Sequence, residues 1–164
     1  MQKVRIFRAR GWRVLFLLLT VLLAGVIFYM SSEPAIESGE RSTTIAAEIL
    51  QIVHPAFETL PPQQQKAVLS SADHILRKTA HFCVYGTLGA LLLLYNLCFA
   101  AKPPAHMLRA LLAATVYAAS DEIHQAFVPG RGSAVTDVLL DRAGALCGIL
   151  IVRAVCRRKK QPLQ

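Results

Sequence analysis

The sequence predicts an all-α protein: an integral membrane bundle of four transmembrane helices with a helical extracytoplasmic loop. Three observations carry that expectation. The chain is 54% hydrophobic and 17% charged, where an average soluble domain is about 25% charged. Its basic residues gather at the ends of apolar runs. Within the later runs, ionisable residues recur at helical spacing on one side.

The first run, 14–30, is uncharged and follows a basic stretch, 1–13, that holds Lys3, Arg5, Arg8, Arg10 and Arg13. As a helix it is about 25 Å long, enough to span with little to spare. A secretory signal has the same basic start. Tyr29-Met30-Ser31, however, is a poor small-x-small cleavage site, so an uncleaved first transmembrane helix is expected.

The 31–76 stretch is acidic on balance, with Glu33, Glu37, Glu40, Glu48, Glu58 and Asp73 against Arg41 and Lys66. Ile45, Ile49, Ile52 and Val53 recur at i, i+4, i+7 and i+8, as on a helix with one apolar face. Pro55 and Pro61-Pro62 end that piece and start the next, where Val68, Leu69, Ala72, Ile75 and Leu76 repeat the pattern. These helices are expected to lie on the outer leaflet or to cap the bundle; a lid over a site is the sharper alternative.

A core of three further spans is expected over 77–156. The second run, 78–101, is long enough to cross if His81 is neutral. The third (about 107–127) and fourth (134–156) reach spanning length only by taking in Asp121 and Glu122, or Asp137, Asp141 and Arg142. Those groups should therefore face a protein interior or a water-filled cavity. Arg157, Arg158, Lys159 and Lys160 form a basic tail over 157–164. With Lys102 and Arg109 in the loop between the second and third runs, the basic residues orient all four spans with both termini cytoplasmic, in the plasma membrane. The net charge of +8 is thus accounted for by membrane orientation, and no nucleic-acid partner is expected. Cys83, Cys98, Cys147 and Cys156 lie in apolar runs without CxxC spacing and read as small buried residues, not disulfides. His54 and His106 read as surface residues.

In this orientation several polar faces converge on the outer end. His74, Lys78, His81 and Tyr85 share one helix face, and Gly89 continues it. Tyr117, Asp121, His124 and Gln125 share another, while Glu122 lies on a different face and points to the site or to solvent. Asp137, Asp141, Gly144 and Gly148 share a third, with Gly144-x-x-x-Gly148 as a small-residue packing motif. Pro129-Gly130-Arg131-Gly132 is a tight turn that presents Arg131 over the same end. The binding candidates are therefore Lys78, His81, Tyr85, Asp121, His124, Gln125, Arg131, Asp137 and Asp141. If the site is catalytic, Asp121, Glu122 or His81 is the candidate acid or base. Lys78, Arg131 and a histidine could hold a phosphate or carboxylate. No HExxH-like spacing occurs, so no metal is expected, and the sequence assigns no cofactor. No Ser or Cys nucleophile with a placed base is visible.

The pattern Lys78-x-x-His81-Phe82-x-x-Tyr85, then Asp121-Glu122-x-x-Gln125-x-Phe127-x-Pro129-Gly130-Arg131, then Asp137 with Gly144 and Gly148, resembles the VanZ-like family. Phe28-Tyr29-Met30-Ser31-Ser32 is similar to the end of that family's first helix. The resemblance implies a small bacterial integral membrane protein in a family named for low-level resistance to teicoplanin, a glycopeptide acting at the cell envelope. Asp141 departs from it, since many relatives would carry Asn there. Three functions are carried forward. The first is a non-catalytic protein that binds an envelope lipid or ligand at the outer leaflet and alters glycopeptide susceptibility. The second is a membrane enzyme acting on the head group of an envelope lipid or cell-wall precursor. The third is a proton-coupled transporter component, which the apolar inner halves (91–94, 111–115, 146–152) disfavour unless the protein is an oligomer.

Overall fold

The computed structural model describes residues 10–100 and 102–158. Lys3, Arg5, Arg8, Lys159 and Lys160 of the basic flanks lie outside the described residues. Within them the fold is all-α, with no strand. Five helices follow in order: α1 (Arg10–Ser31), α2 (Ala35–Val53), α3 (Pro62–Leu97), α4 (Pro103–Gln125) and α5 (Val135–Arg158), with a single 3-10 turn at Phe57–Thr59.

Proline marks three helix starts, of which the sequence predicts the one at Pro61-Pro62. Pro34 precedes α2, and Pro62 and Pro103 each occupy a first helical turn, where the missing N–H costs nothing. The side-chain amide of Gln65 donates to the carbonyls of Glu58 (3.0 Å) and Leu60 (2.8 Å), fastening the 3-10 turn to the start of α3. The expected boundary at 76/77 does not interrupt the chain. α3 runs unbroken for 36 residues from the outer piece into the second apolar run, because no Pro or Gly intervenes between 63 and 85.

α3 is the central helix and packs on each of the other four, most extensively on α5. Contacts set the directions. Lys78 meets Asp137 and His81 meets Asp141, so α3 and α5 run parallel. Tyr85 meets Asp121 while Leu93 packs with Ala110, so α4 runs opposite to α3. Tyr117 meets Ala24 and His124 meets Ser32, so α1 runs with α4. The end of α1, the middle of α3, the end of α4 and the start of α5 therefore lie at one end of the bundle.

Backbone contact holds the α3–α5 seam. A Cβ on Gly86 would stand 3.2 Å from the Gly144 carbonyl oxygen, and one on Gly144 or Gly148 would overlap the carbonyl oxygen of Phe82 or Gly86. Below the polar end, Ile27, Tyr85, Leu88 and Ala118 form one apolar cluster and Leu93, Ala110 and Ile149 another. On α4 the buried stripe is His106, Ala110, Ala114, Ala118, Asp121 and Gln125. His106 is thus buried, not at the surface: α4 starts at Pro103, earlier than the apolar run suggests, and brings it onto that stripe. The cysteines are free, but they are not uniformly buried: Cys83 is exposed, Cys98 buried, and Cys147 and Cys156 intermediate.

Among the described residues, α1 and α3 are the helices long and apolar enough to cross a membrane by length and composition.

Candidate functional site

The polar end is built from four helices. From α3, Lys78 forms an ion pair with Asp137 of α5, and one turn further His81 Nδ1 stands 3.5 Å from Asp141 Oδ1. Another turn on, the Tyr85 hydroxyl donates to Asp121 Oδ2 of α4 at 3.1 Å. Gln125, one turn along α4, donates its amide to the same oxygen (3.2 Å) and lies 3.2 Å from the Ser31 hydroxyl at the end of α1. The rings of His81 and Tyr85 lie nearly parallel with centroids 6.5 Å apart, joining the two halves. Glu122 turns inward: it is buried, and it accepts the Ala134 backbone N–H at 3.0 Å just before α5.

Burial is deep. Tyr85 and Asp141 are each 1% exposed and Asp121 is 3% exposed. Asp121 Oδ1 and both oxygens of Asp141 have no hydrogen-bond partner. Such acceptors are rare in folded proteins and mark a place where a donor belongs. Lys78 and His81 remain about one-third exposed, so the cluster opens to the outside of the bundle past α3.

Two predicted site residues share this end without joining the cluster. His124 stacks on Phe28 with centroids 4.5 Å apart, and its Nε2 lies 3.0 Å from the Ser32 hydroxyl. Arg131 donates from Nε to the Glu33 carbonyl (2.9 Å) and from Nη2 to the Met30 carbonyl (3.1 Å) and the Ser38 hydroxyl (3.0 Å). It therefore satisfies a carbonyl in the last turn of α1, where a cation is favoured. The turn that carries it has Pro129 and Gly130 at its centre and closes through the Arg131 N–H to the Val128 carbonyl. Gly130 has φ +75°, which L side chains rarely adopt, and a Cβ there would also press on Ala35. His74 is exposed and plays no part in the cluster.

Ser31 and Ser32 were missed as participants. Their signal was positional: two hydroxyls close the first apolar run at the level where the other polar faces meet. Among the described residues, no three His, Cys, Asp or Glu side chains form a group that could hold a metal ion.

A helical bundle with acids and hydroxyls turned inward at one end and apolar side chains turned outward defines the general class. The VanZ/LLP1 family model matches residues 16–157, nearly the whole chain, and the protein belongs to that family. Comparison with curated proteins and with solved structures gives no match.

Proposed function

We propose that this VanZ/LLP1 protein is a multi-pass membrane protein that binds an envelope lipid or other envelope ligand at the outer leaflet, and thereby alters susceptibility to teicoplanin. In this reading α1, α3, α4 and α5 span the bilayer, α2 and the first half of α3 lie outside, and both termini are cytoplasmic. The observation that carries it is the set of buried, partnerless carboxylate oxygens on Asp121 and Asp141, at the end where four helices meet. Ionisable groups held in that way inside a membrane bundle are expensive and mark function.

The sidedness of α4 and α5 supports the four-span reading. Neither qualifies on length and composition alone, yet Asp121, Glu122 and Asp141 are buried. The large apolar side chains they expose include Leu108, Leu112, Val116 and Ile123 on α4, and Leu139, Leu146, Leu150, Ile151 and Val155 on α5, with Arg109 and Arg142 exposed nearer the helix starts. That is the reverse of a soluble helix and suits a hydrocarbon surround. α1 is exposed and apolar on most sides, with Leu18, Val21 and Leu22 outward.

The test is the teicoplanin and vancomycin susceptibility of a sensitive host expressing the chain, wild type against Asp121→Ala, at matched membrane levels. Protection by the wild type that is lost in the variant is the expected result. Lipids co-purifying with the two proteins are compared in parallel. Identical lipids in identical amounts, together with no protection, would overturn the reading.

A further inference from the structure

The polar end has more buried acceptors than donors, and the mismatch has a definite shape. Asp121 uses Oδ2 twice, for Tyr85 and Gln125, and leaves Oδ1 bare. Asp141 leaves both oxygens bare, since His81 Nδ1 stops at 3.5 Å without a hydrogen bond. Both carboxylates are more than nine-tenths buried.

The charges are mismatched in the same direction. Asp121, Glu122, Asp137 and Asp141 converge on Lys78 and His81. Lys78 is committed to Asp137, and Arg131 aims its donors at two carbonyls and a serine hydroxyl on the α1–α2 side. Even with the imidazole protonated, carboxylates outnumber the bases facing them. A phosphate or carboxylate would meet repulsion from these acids there, with Lys78 already paired and His81 facing Asp141. A cation would be welcome.

The donor set narrows the kind of cation. No three candidate ligands close into a metal-binding group among the described residues, so chelation of a divalent ion is poorly served. A primary ammonium carries three N–H donors. Three bare oxygens, Asp121 Oδ1, Asp141 Oδ1 and Asp141 Oδ2, need donors. Lys78 and His81, each about one-third exposed, mark the side from which such a group arrives. We infer that Asp121 and Asp141 form a site for a protonated primary amine, carried on a lipid head group or on a soluble molecule. The inference rests on the ligand-binding reading above and names the chemistry of that ligand.

The full chain is reconstituted in phosphatidylcholine nanodiscs and its thermal unfolding followed as phosphatidylethanolamine replaces phosphatidylcholine, or as ethanolamine hydrochloride is added against matched sodium chloride. The two lipids share a phosphate and differ in N–H donors, so the wild type alone discriminates. Stabilisation by phosphatidylethanolamine alone identifies a lipid-borne amine, and stabilisation by ethanolamine as well identifies the amine itself as sufficient. Asp141→Asn should weaken the apparent affinity about tenfold or more, and Asp121→Asn is read beside it in case one variant fails to fold. No response to either amine, an equal response to sodium chloride, or responses unchanged in both variants would overturn the amine site. Stabilisation by phosphatidylglycerol in their place would overturn it too, while leaving lipid binding intact.

Discussion

Gly148→Ala should force α3 and α5 apart. The added Cβ would sit 2.7 Å from the carbonyl carbon of Gly86 and 3.2 Å from its Cα, and would overlap its oxygen. All three are backbone atoms, so no rotamer change relieves the clash. Restoring ordinary contact needs the helices to separate by more than about 1 Å, and a gap of about 1 Å already forfeits up to about half of each dispersion contact along the seam. Overpacking of this kind costs about 1–3 kcal/mol, while Ala regains up to about 1 kcal/mol over Gly in helix propensity. The net expectation is a loss of about 1–2 kcal/mol. Gly25→Ala is the matched control, because nothing lies within 4 Å of its added Cβ. It should be neutral or stabilising by up to about 1 kcal/mol. Thermal unfolding of both variants in the same detergent measures the difference. Gly148→Ala as stable as Gly25→Ala would refute the backbone contact on which the seam is built.

Three further outcomes follow from the polar end. A double-mutant cycle of Lys78→Met and Asp137→Leu should give a coupling of about 1 kcal/mol, modest because both side chains are about one-third exposed and screened; additive singles would mean no pair. Tyr85→Phe removes one of the two donors to Asp121 Oδ2 with little change in packing, and should lower stability by about 1–3 kcal/mol in the same assay. Wild-type stability of that variant would show that the hydroxyl donates elsewhere. Arg131→Ala should release the α4–α5 turn from α1 and speed limited proteolysis between Ser31 and Ala35, and Arg131→Lys should fail to restore protection because one ammonium cannot reproduce the planar fork across three acceptors. Equal cleavage rates in wild type and Arg131→Ala would disprove the latch.

The helices were legible where period and punctuation agree: apolar runs for α1 and the inner half of α3, and Pro61-Pro62 at the start of α3. The continuity of α3 was not. Lys78 marks a change from amphipathic to apolar sequence, which reads as a boundary, but hydropathy describes the surroundings of a helix and not its end. Faces were legible at the site and pairings were not. Spacing put Lys78, His81 and Tyr85 on one side of a helix. Which acid each meets depends on helix rotation and crossing, which a single sequence does not reveal. Arg131 is the clearest case: its position in the turn sets the end of the bundle it occupies, while its partners are carbonyls, which leave no mark in sequence.

The seam and the cluster are one arrangement. Where Gly86, Gly144 and Gly148 bring α3 and α5 into backbone contact, no side chain can stand between the helices. One and two turns toward the polar end, the facing residues are His81 with Asp141 and Lys78 with Asp137, and the close approach forces each to meet its opposite. On α4 the acid is reached by Tyr85, whose hydroxyl donates to Asp121. Small residues therefore determine which charges meet, and Asp141 is buried because Gly144, next along the same face, allows α5 so close. It follows that Gly148→Ala should disturb ligand binding as well as stability, although it touches no polar atom of the cluster. A Gly148→Ala protein that lost stability yet kept wild-type ligand affinity would separate the two.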